Sequence, residues 1–330
     1  MGRPRLADVA AAAGCSTASV SLVLRGAPGP SEATRERVLA AAEQLGYRPD
    51  RAASLLARRR SGMLGVVSDV RSTFHSELVE ELLAASAQRG FDLLIGARSP
   101  ARDEGRAVET LVDSRCEALL LLGTTSPPAQ LVELDRQVPV VAVSGRASGV
   151  DSVRVDDERG AREATEHLLA LGHRAVVHVD GGAGEVAADR RRGYERAMAA
   201  AGLEPRVVRG GHGEAEGAAA RAGLGSATAV TTFNDRAAVG LLDALVRAGV
   251  RVPHDVSVAG FDDSPLSRLA HVDLTTVSQD VPALVEHALD LVTTRLDGRV
   301  GPAEVVLAPR LVVRGTTGPP ENERGALSRT

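Results

Sequence analysis

The sequence predicts an N-terminal all-α helix-turn-helix headpiece followed by an α/β core of two doubly wound parallel-sheet subdomains. Three observations predict it. Short amphipathic helical patterns punctuated by Gly and Ser fill the first 47 residues. From residue 62 the rhythm changes to apolar runs of Val, Leu and Ile alternating with amphipathic helical stretches, which suits strands covered on both faces by helices. That alternation runs through a second cycle beginning near Asp151. At 330 residues, 44% apolar and 25% charged, the chain has material for two or three domains.

In the first stretch Leu6, Val9, Ala10 and Ala13 fall at helical spacing and define one apolar stripe. Gly14 stands where a chain leaving a helix takes a left-handed residue, and the Ser16 hydroxyl can cap the next helix. Val20, Val23 and Leu24 continue the stripe, while Thr17, Ala18, Ser21, Leu22 and Arg25 occupy the opposite face. Two short helices joined this way form a helix-turn-helix whose second helix fits a DNA major groove. An ordinary helical hairpin is the alternative reading of this stretch alone. A third helix is expected over Ser31–Leu45, capped by Ser31, ended by Gly46, and with Val38, Leu39, Ala42 and Leu45 as its core face. After Tyr47-Arg48-Pro49-Asp50 comes RAASLLARRR, a short basic helix that Asp50 can cap; a plain basic linker is the alternative.

Charge is unevenly placed. Residues 1–60 carry ten Arg against five acids, which leaves 29 Arg against 38 acids for the remainder. A basic end on an acidic body suits phosphate contact at that end only. Every basic residue is Arg, so a P-loop lysine and a lysine Schiff base are both excluded. Cys15 and Cys116 are isolated, with no metal-ligand spacing, and read as reduced cytosolic thiols. Ala12-Ala13-Gly14-Cys15 imitates a lipoprotein cleavage site, but Asp8 interrupts the short run before it. The expected location is cytoplasmic.

In the core, strands are expected at MLGVVSDV, FDLLIGA, CEALLLLG and VPVVAVSG, with a helix at SELVEELLAASAQRG and others around Asp103–Ser114 and Ala129–Asp135. The second cycle comprises helix Asp157–Leu171, strand AVVHVD, helix Ala187–Ala201, strand RVVR and helix Glu214–Ala222. Strand AVTTF, helix Asp235–Ala248 and strand DVSVAGF follow. TTVSQD leads into helix Val281–Leu296, strand EVVLAP and finally RLVVRGTT. Two such sheets place a ligand crevice at the carboxyl ends of their strands, between the subdomains.

Taken together, DVAAAAGCSTASVSLVL and SEATRERVLAAAEQLGYRPDRAASLLARR resemble the headpiece and hinge of the lactose-repressor (LacI/GalR) family of bacterial transcription regulators. The resemblance continues through HLLALGHRAVVHVDG, RRRGYERAM, TTFNDRAAVGLLDALVRAGVRVPHDVSVAGFDD, LTTVSQD and RLVVRGTT, so it covers residues 5–317. It implies a headpiece at 1–49, a hinge at 50–61 and an effector-binding, dimerising core at 62–317 that is similar to periplasmic sugar-binding proteins. One subdomain is placed at 62–150 plus 279–308 and the other at 151–278 plus 309–317, with 318–330 as a disordered polar tail.

The resemblance assigns roles by position. Thr17, Ala18 and Leu22 match base-reading positions, and Ser16 and Ser21 phosphate contacts. Ala18 and Leu22 offer only apolar contact, for which a thymine methyl is the natural target. Arg5 stands where a capping Thr is common and adds a possible phosphate contact. Leu56, with Ala53 on the same face, matches the wedge that enters the minor groove at the centre of a pseudo-palindromic operator. For the effector, the matching positions are Asp69, Phe74, His75, Arg190, His212, Asn234, Asp262 and Gln279. Acidic and amide groups for hydroxyls, a guanidinium fork and an aromatic face together suit a carbohydrate. Ser72-Thr73 replaces a frequent Asn-Pro, His75 is the second member of an aromatic pair, and His212 takes the place of a large stacking aromatic.

The resemblance therefore implies a homodimeric DNA-binding repressor modulated by a small molecule, with no cofactor, no catalytic residues and no metal site. A transport binding protein would share the core but lack the headpiece. An α/β enzyme is the third reading, and the sequence has no GxSxG, no HExxH and no metal-spaced Cys/His cluster. GGAG at 181–184 lacks the GxGxxG register and reads as a turn.

Overall fold

The computed structural model describes residues 4–24, 26–47 and 60–321. The chain divides into two compact units at Ser61/Gly62. The first unit holds helices α1 (Leu6–Ala13), α2 (Thr17–Leu24) and α3 (Glu32–Gln44). Val9, Ala10, Ala13, Val20, Val23, Val38, Ala41 and Ala42 form its core. Two residues expected in that core are not in it: Leu39 is 50% exposed and Leu45 37% exposed. Helical spacing explains the change, since the stripe runs through Val38, Ala41 and Ala42, Leu39 lies a hundred degrees off it, and Leu45 falls past the last turn. The expected basic helix, with Ala53 and Leu56, lies outside the described residues.

The second unit is built on two parallel sheets. The first comprises β1 (Met63–Asp69), β2 (Asp92–Arg98), β3 (Ala118–Leu122), β4 (Val140–Val143), β5 (Asp151–Val155) and β11 (Glu304–Leu307), in spatial order β11-β5-β4-β3-β1-β2. Helices α4 (Thr73–Gln88) and α11 (Val281–Leu296) cover one face, where Leu78, Leu82, Leu284 and Leu289 pack on Leu120, Leu122 and Val153. Helices α5 (Glu104–Asp113) and α6 (Pro128–Asp135) cover the other, where Leu111 and Leu131 pack on Leu119 and Leu121. Successive β3 side chains thus serve opposite cores, which is why ALLLL carries no polar alternation.

The second sheet has the order β7-β6-β8-β9, from β6 (Val176–Asp180), β7 (Arg206–Arg209), β8 (Ala229–Thr232) and β9 (Ser257–Ala259). Helices α7 (Asp157–Ala170) and α8 (Glu185–Ala200) bury Leu168, Tyr194 and Met198 on one face. On the other, α10 (Asp235–Arg247) buries Leu241 and Leu245, with α9 (Glu214–Ala220) packed beside it. An antiparallel ribbon of β10 (Thr276–Ser278) and β12 (Arg310–Val312) accompanies the return of the chain between the lobes.

Two sequence-based boundaries shift. Asp151–Val155 is a strand of the first sheet, paired with β4 and β11, so that lobe continues to residue 155 rather than ending at 150. Its polar letters hid it. Asp151 is fully buried between Arg295 and Arg299, at 3.1 and 2.8 Å, and Arg154 pairs with Glu304 at 2.8 Å. Residues 318–321, expected in the tail, are held in place: the Gly318 carbonyl accepts from the buried Ser257 hydroxyl at 3.0 Å and meets the His173 ring at 2.8 Å, and Glu321 lies 3.3 Å from Arg251.

Helices α7 and α8 approach so closely that a Cβ on Gly193 would stand 2.1 Å from the Glu158 carbonyl oxygen. This contact sets α8, and with it Arg190, against the start of α7. Gly193→Ala is expected to destabilise the chain by about 1–3 kcal/mol, the usual range for overpacking, as measured by urea unfolding.

Candidate functional site

In the headpiece the chain bends by 102° between α1 and α2, within the range of DNA-binding helix-turn-helices. Gly14 supplies the turn at φ 62°, and Cys15 N–H closes it on the Ala10 carbonyl at 3.1 Å. Ser16 caps α2 by accepting the Ser19 N–H at 3.1 Å. Arg5 does not cap α1 with its side chain; the Asp8 carboxylate instead accepts the Arg5 backbone N–H at 2.7 Å. Arg5, Ser16, Thr17 and Ala18 are exposed, whereas Ser21 and Leu22 are half-buried. The start of α2 therefore presents small side chains and little else to obstruct a groove wall.

In the core, the expected effector residues gather at the carboxyl ends of the strands. Arg190 on α8 is 3% exposed. Its Nε donates to Asp157 at 2.8 Å, its Nη1 donates to the Phe233 carbonyl at 2.6 Å, and Asp262 lies 3.7 Å away. The guanidinium carbon sits 3.6 Å above the Phe261 ring and 4.8 Å above that of Phe233, so a desolvated cation is held by π faces as well as by carboxylates. Asp262, at φ 123°, accepts the Gln279 amide at 2.7 Å. Burial pushes the Asp262 carboxyl well above the usual carboxylate range, against the pull of Arg190. Burial likewise raises Asp157 despite Arg190. Asn234 caps α10 by accepting Ala237 N–H at 2.9 Å and donates its amide to the His212 carbonyl at 3.1 Å. The exposed His212 ring tilts over Phe233 at 4.7 Å.

The other lobe contributes Asp69 and His75. Burial raises the Asp69 carboxyl, but the Arg71 backbone N–H and guanidinium, with Arg98, outweigh burial and leave it below its ordinary value. His75 is buried, its Nδ1 accepting the Asp69 N–H at 3.1 Å. Burial first, then Arg98, lowers it to about 4. Phe74 behaves differently from expectation. It is 6% exposed and packs in the core with Leu78 and Leu82, so its face is spent inside the lobe. Polar contacts between the lobes include the Arg236 guanidinium donating to the Arg71 carbonyl and Arg146 pairing with Asp189 at 3.0 Å.

Sequence reasoning missed Asp157, Phe233 and Phe261, which hold Arg190, and Glu77, whose Oε1 is buried without a hydrogen bond. The two phenylalanines sat inside the quoted motifs TTFND and GFDD; Asp157 is distant in sequence and gave no signal. Cys116 is a buried free thiol, pushed up to about 11 by burial. Among the described residues no three His, Cys, Asp or Glu side chains are placed to hold a metal ion, and no single helix is long and apolar enough to cross a membrane.

A helix-turn-helix unit ahead of a two-lobed α/β core with polar side chains gathered at its strand ends is the architecture of a DNA-binding regulator that carries its own ligand-binding module. Comparisons agree. Residues 5–50 match the family model "Bacterial regulatory proteins, lacI family", and residues 165–317 match "Periplasmic binding protein-like domain". The HTH-type transcriptional regulator MalR of Streptomyces coelicolor is 35% identical over 97% of this chain and 98% of its own. The lac repressor dimer, solved on operator with the anti-inducer ONPF, superposes with a TM-score of 0.83 at 28% identity over 96% of this chain and all of its own. A transcriptional regulator CelR–cellobiose complex gives 0.70 at 31% identity over 95% of this chain and 100% of its own. The chain belongs to the LacI family of transcriptional regulators.

Burial raises the Glu77 carboxyl to about 7; Arg268 lowers it, while Asp235, Asp263 and Glu80 add to the rise. A carboxyl raised on folding contributes stability that is fully present below its unfolded pKa and is lost as pH rises through its folded one. Glu77 should accordingly contribute a loss of stability between pH 5 and 7, so that in a pH series of thermal melts the Glu77→Gln melting temperature falls less, or rises more, across that window than that of the wild type.

Proposed function

We propose that this chain is a homodimeric repressor that binds a pseudo-palindromic operator and responds to a neutral saccharide bound between the lobes of its core. The observation that carries the reading is the Arg190 cluster. Its single charge is already met by Asp157, and burial favours the neutral acid at Asp262, while Asp262, Gln279, Asn234 and the guanidinium retain hydrogen-bonding capacity at the strand ends. Such a site favours hydroxyls over a net charge. The cellobiose held by the CelR relative supports a saccharide, and the operator-bound lac repressor dimer supports the DNA and dimer parts of the reading.

On DNA, Thr17 and Ala18 face base edges, with Leu22 beside them as an apolar contact. Ser21, Arg5 and the capping Ser16 lie towards phosphates. Leu56 and Ala53 act from the hinge as the minor-groove wedge. Coupling runs through the crossovers: Asp262 bonds Gln279, which directly follows β10, and β10 pairs with β12 where the chain returns between lobes. A ligand that engages Asp262 therefore acts on a segment shared by both lobes, and effector and operator must change each other's affinity by the same factor.

Fluorescence anisotropy of the full-length protein on DNA upstream of its own gene tests this, with a scrambled duplex and a salt series as controls. Sequence-selective binding that weakens with salt and shifts at least fivefold with one of cellobiose, ribose, glucose or galactose is expected. Equal affinity for both duplexes, unmoved by any saccharide, would contradict it.

A further inference from the structure

Glu77 lies on α4 where the two lobes meet, and one of its carboxyl oxygens has nothing to bond. Oε1 is shut off from solvent and accepts no hydrogen bond among the described residues. The chain just before α4 touches the opposite lobe, where Arg236 in the first turn of α10 donates to the Arg71 carbonyl. Groups of that lobe accordingly act on the Glu77 charge: Asp235 at the start of α10, and Asp263 and Arg268 in the segment after β9, with Glu80 from its own helix. Asp262 is affected by Glu77 in turn. Beside Asp263, the Ser264 hydroxyl is also buried without a partner, at 3% exposure.

The carboxyls across the boundary are already committed. Asp235 accepts the Thr276 hydroxyl at 2.5 Å and the Ser264 N–H at 2.7 Å. Asp263 accepts from Arg314 at 2.5 Å and from Arg268 at 3.2 Å. Asp262 accepts the Gln279 amide at 2.7 Å and lies 3.7 Å from Arg190. Arg268 is shared, since the same Nη2 also donates to the Asp263 carbonyl at 2.9 Å. An ionised Glu77 would thus add a negative charge to a boundary whose cations are taken. A carboxylate denied both water and a partner is unfavourable, and like charges beside it favour keeping the proton.

We propose that Glu77 is a proton-operated latch between the lobes: with a proton it lets them lie together, and ionised it is repelled by the carboxyls opposite and drives them apart. The Arg236–Arg71 contact and the Arg146–Asp189 pair at 3.0 Å supply the attraction that the repulsion opposes. With the lobes as they stand here, burial raises Glu77 to about 7; parting them returns it to water and towards the ordinary carboxylate range. A carboxyl raised on closure favours closure below its open value, and that contribution is lost as pH rises through the closed value. His75, lowered to about 4, and Asp69, held below its ordinary value, keep their charges through that rise.

The test reads lobe separation in the full-length chain by electron–electron double resonance, without saccharide or DNA, so its outcome is independent of the operator and saccharide assays. Nitroxides are attached through Ala129→Cys on α6 and Ala215→Cys on α9, both exposed positions. Cys15→Ser removes the half-buried thiol, and Cys116, buried and pushed up to about 11, stays unlabelled. An excess of unlabelled chain keeps labelled copies from pairing with each other. Between about pH 5.5 and about pH 8.5 the ratio of short to long separations is expected to fall by about tenfold or more. Glu77→Gln should hold the low-pH distribution at both. Arg268→Gln, at a side chain 59% exposed, should move the transition to higher pH, because that cation favours the ionised form; it serves as the test if Glu77→Gln does not fold. One distribution at both pH values in the wild type, the same pH response in Glu77→Gln, or an unmoved or lowered transition in Arg268→Gln would overturn the proposal.

Discussion

A guanidinium taken out of water is the constraint around which the core is arranged. Transferring a charge to the interior costs several kcal/mol even after relaxation, and Arg190 is buried at 3% exposure. Four elements meet to offset that cost: α8 brings the cation, the start of α7 brings Asp157, the end of β8 brings the Phe233 carbonyl, and the segment after β9 brings Phe261 and Asp262. Their convergence depends on close approach. A Cβ on Gly160 would stand 2.9 Å from the Phe261 ring, just as one on Gly193 would strike α7. Small residues at these contacts let the ring lie flat beneath the cation and the two helices lie side by side.

The two halves of the cleft differ in kind. The C-terminal lobe offers a buried guanidinium facing two carboxyl groups, Asp157 and Asp262. The N-terminal lobe offers Asp69 held ionised by Arg71 and Arg98, and His75 held neutral by burial. The lobes are joined by crossovers after β5, after β10 and before β12, and the last two elements pair with each other. Because Gln279 follows β10 directly, a site contact and a hinge are neighbours in the chain.

Much of this was legible in the sequence where a rule of local physics applies. The caps at Ser16 and Ser31, the turn at Gly14, and the apolar runs of β3 and β4 follow from side-chain chemistry and period. Arg190, Asn234 and Asp262 were named through the family resemblance, and the structure brings Arg190 and Asp262 together beside the strand end that carries Asn234. Asn234 proved to be a helix cap as well, so one side chain fixes α10 while its amide points to the His212 loop. What stayed hidden depended on tertiary pairing. Strand β5 reads as polar because its Asp151 and Arg154 are satisfied by partners some 150 residues away. Asp157 has the same character. Phe74 read as a ligand face, yet core packing claimed it, and the phase of α3 left Leu39 and Leu45 outside.

The most direct test of the account is effector-dependent operator affinity in Asp262→Asn, an isosteric change that keeps an acceptor for Gln279 but alters the charge beside Arg190. The account predicts a folded protein whose operator affinity without saccharide matches wild type. The saccharide concentration needed to shift that affinity should rise at least tenfold, about 1.4 kcal/mol of lost binding. An unchanged saccharide response in a folded Asp262→Asn protein would contradict it, because the ligand would then be acting somewhere other than the Arg190 cluster.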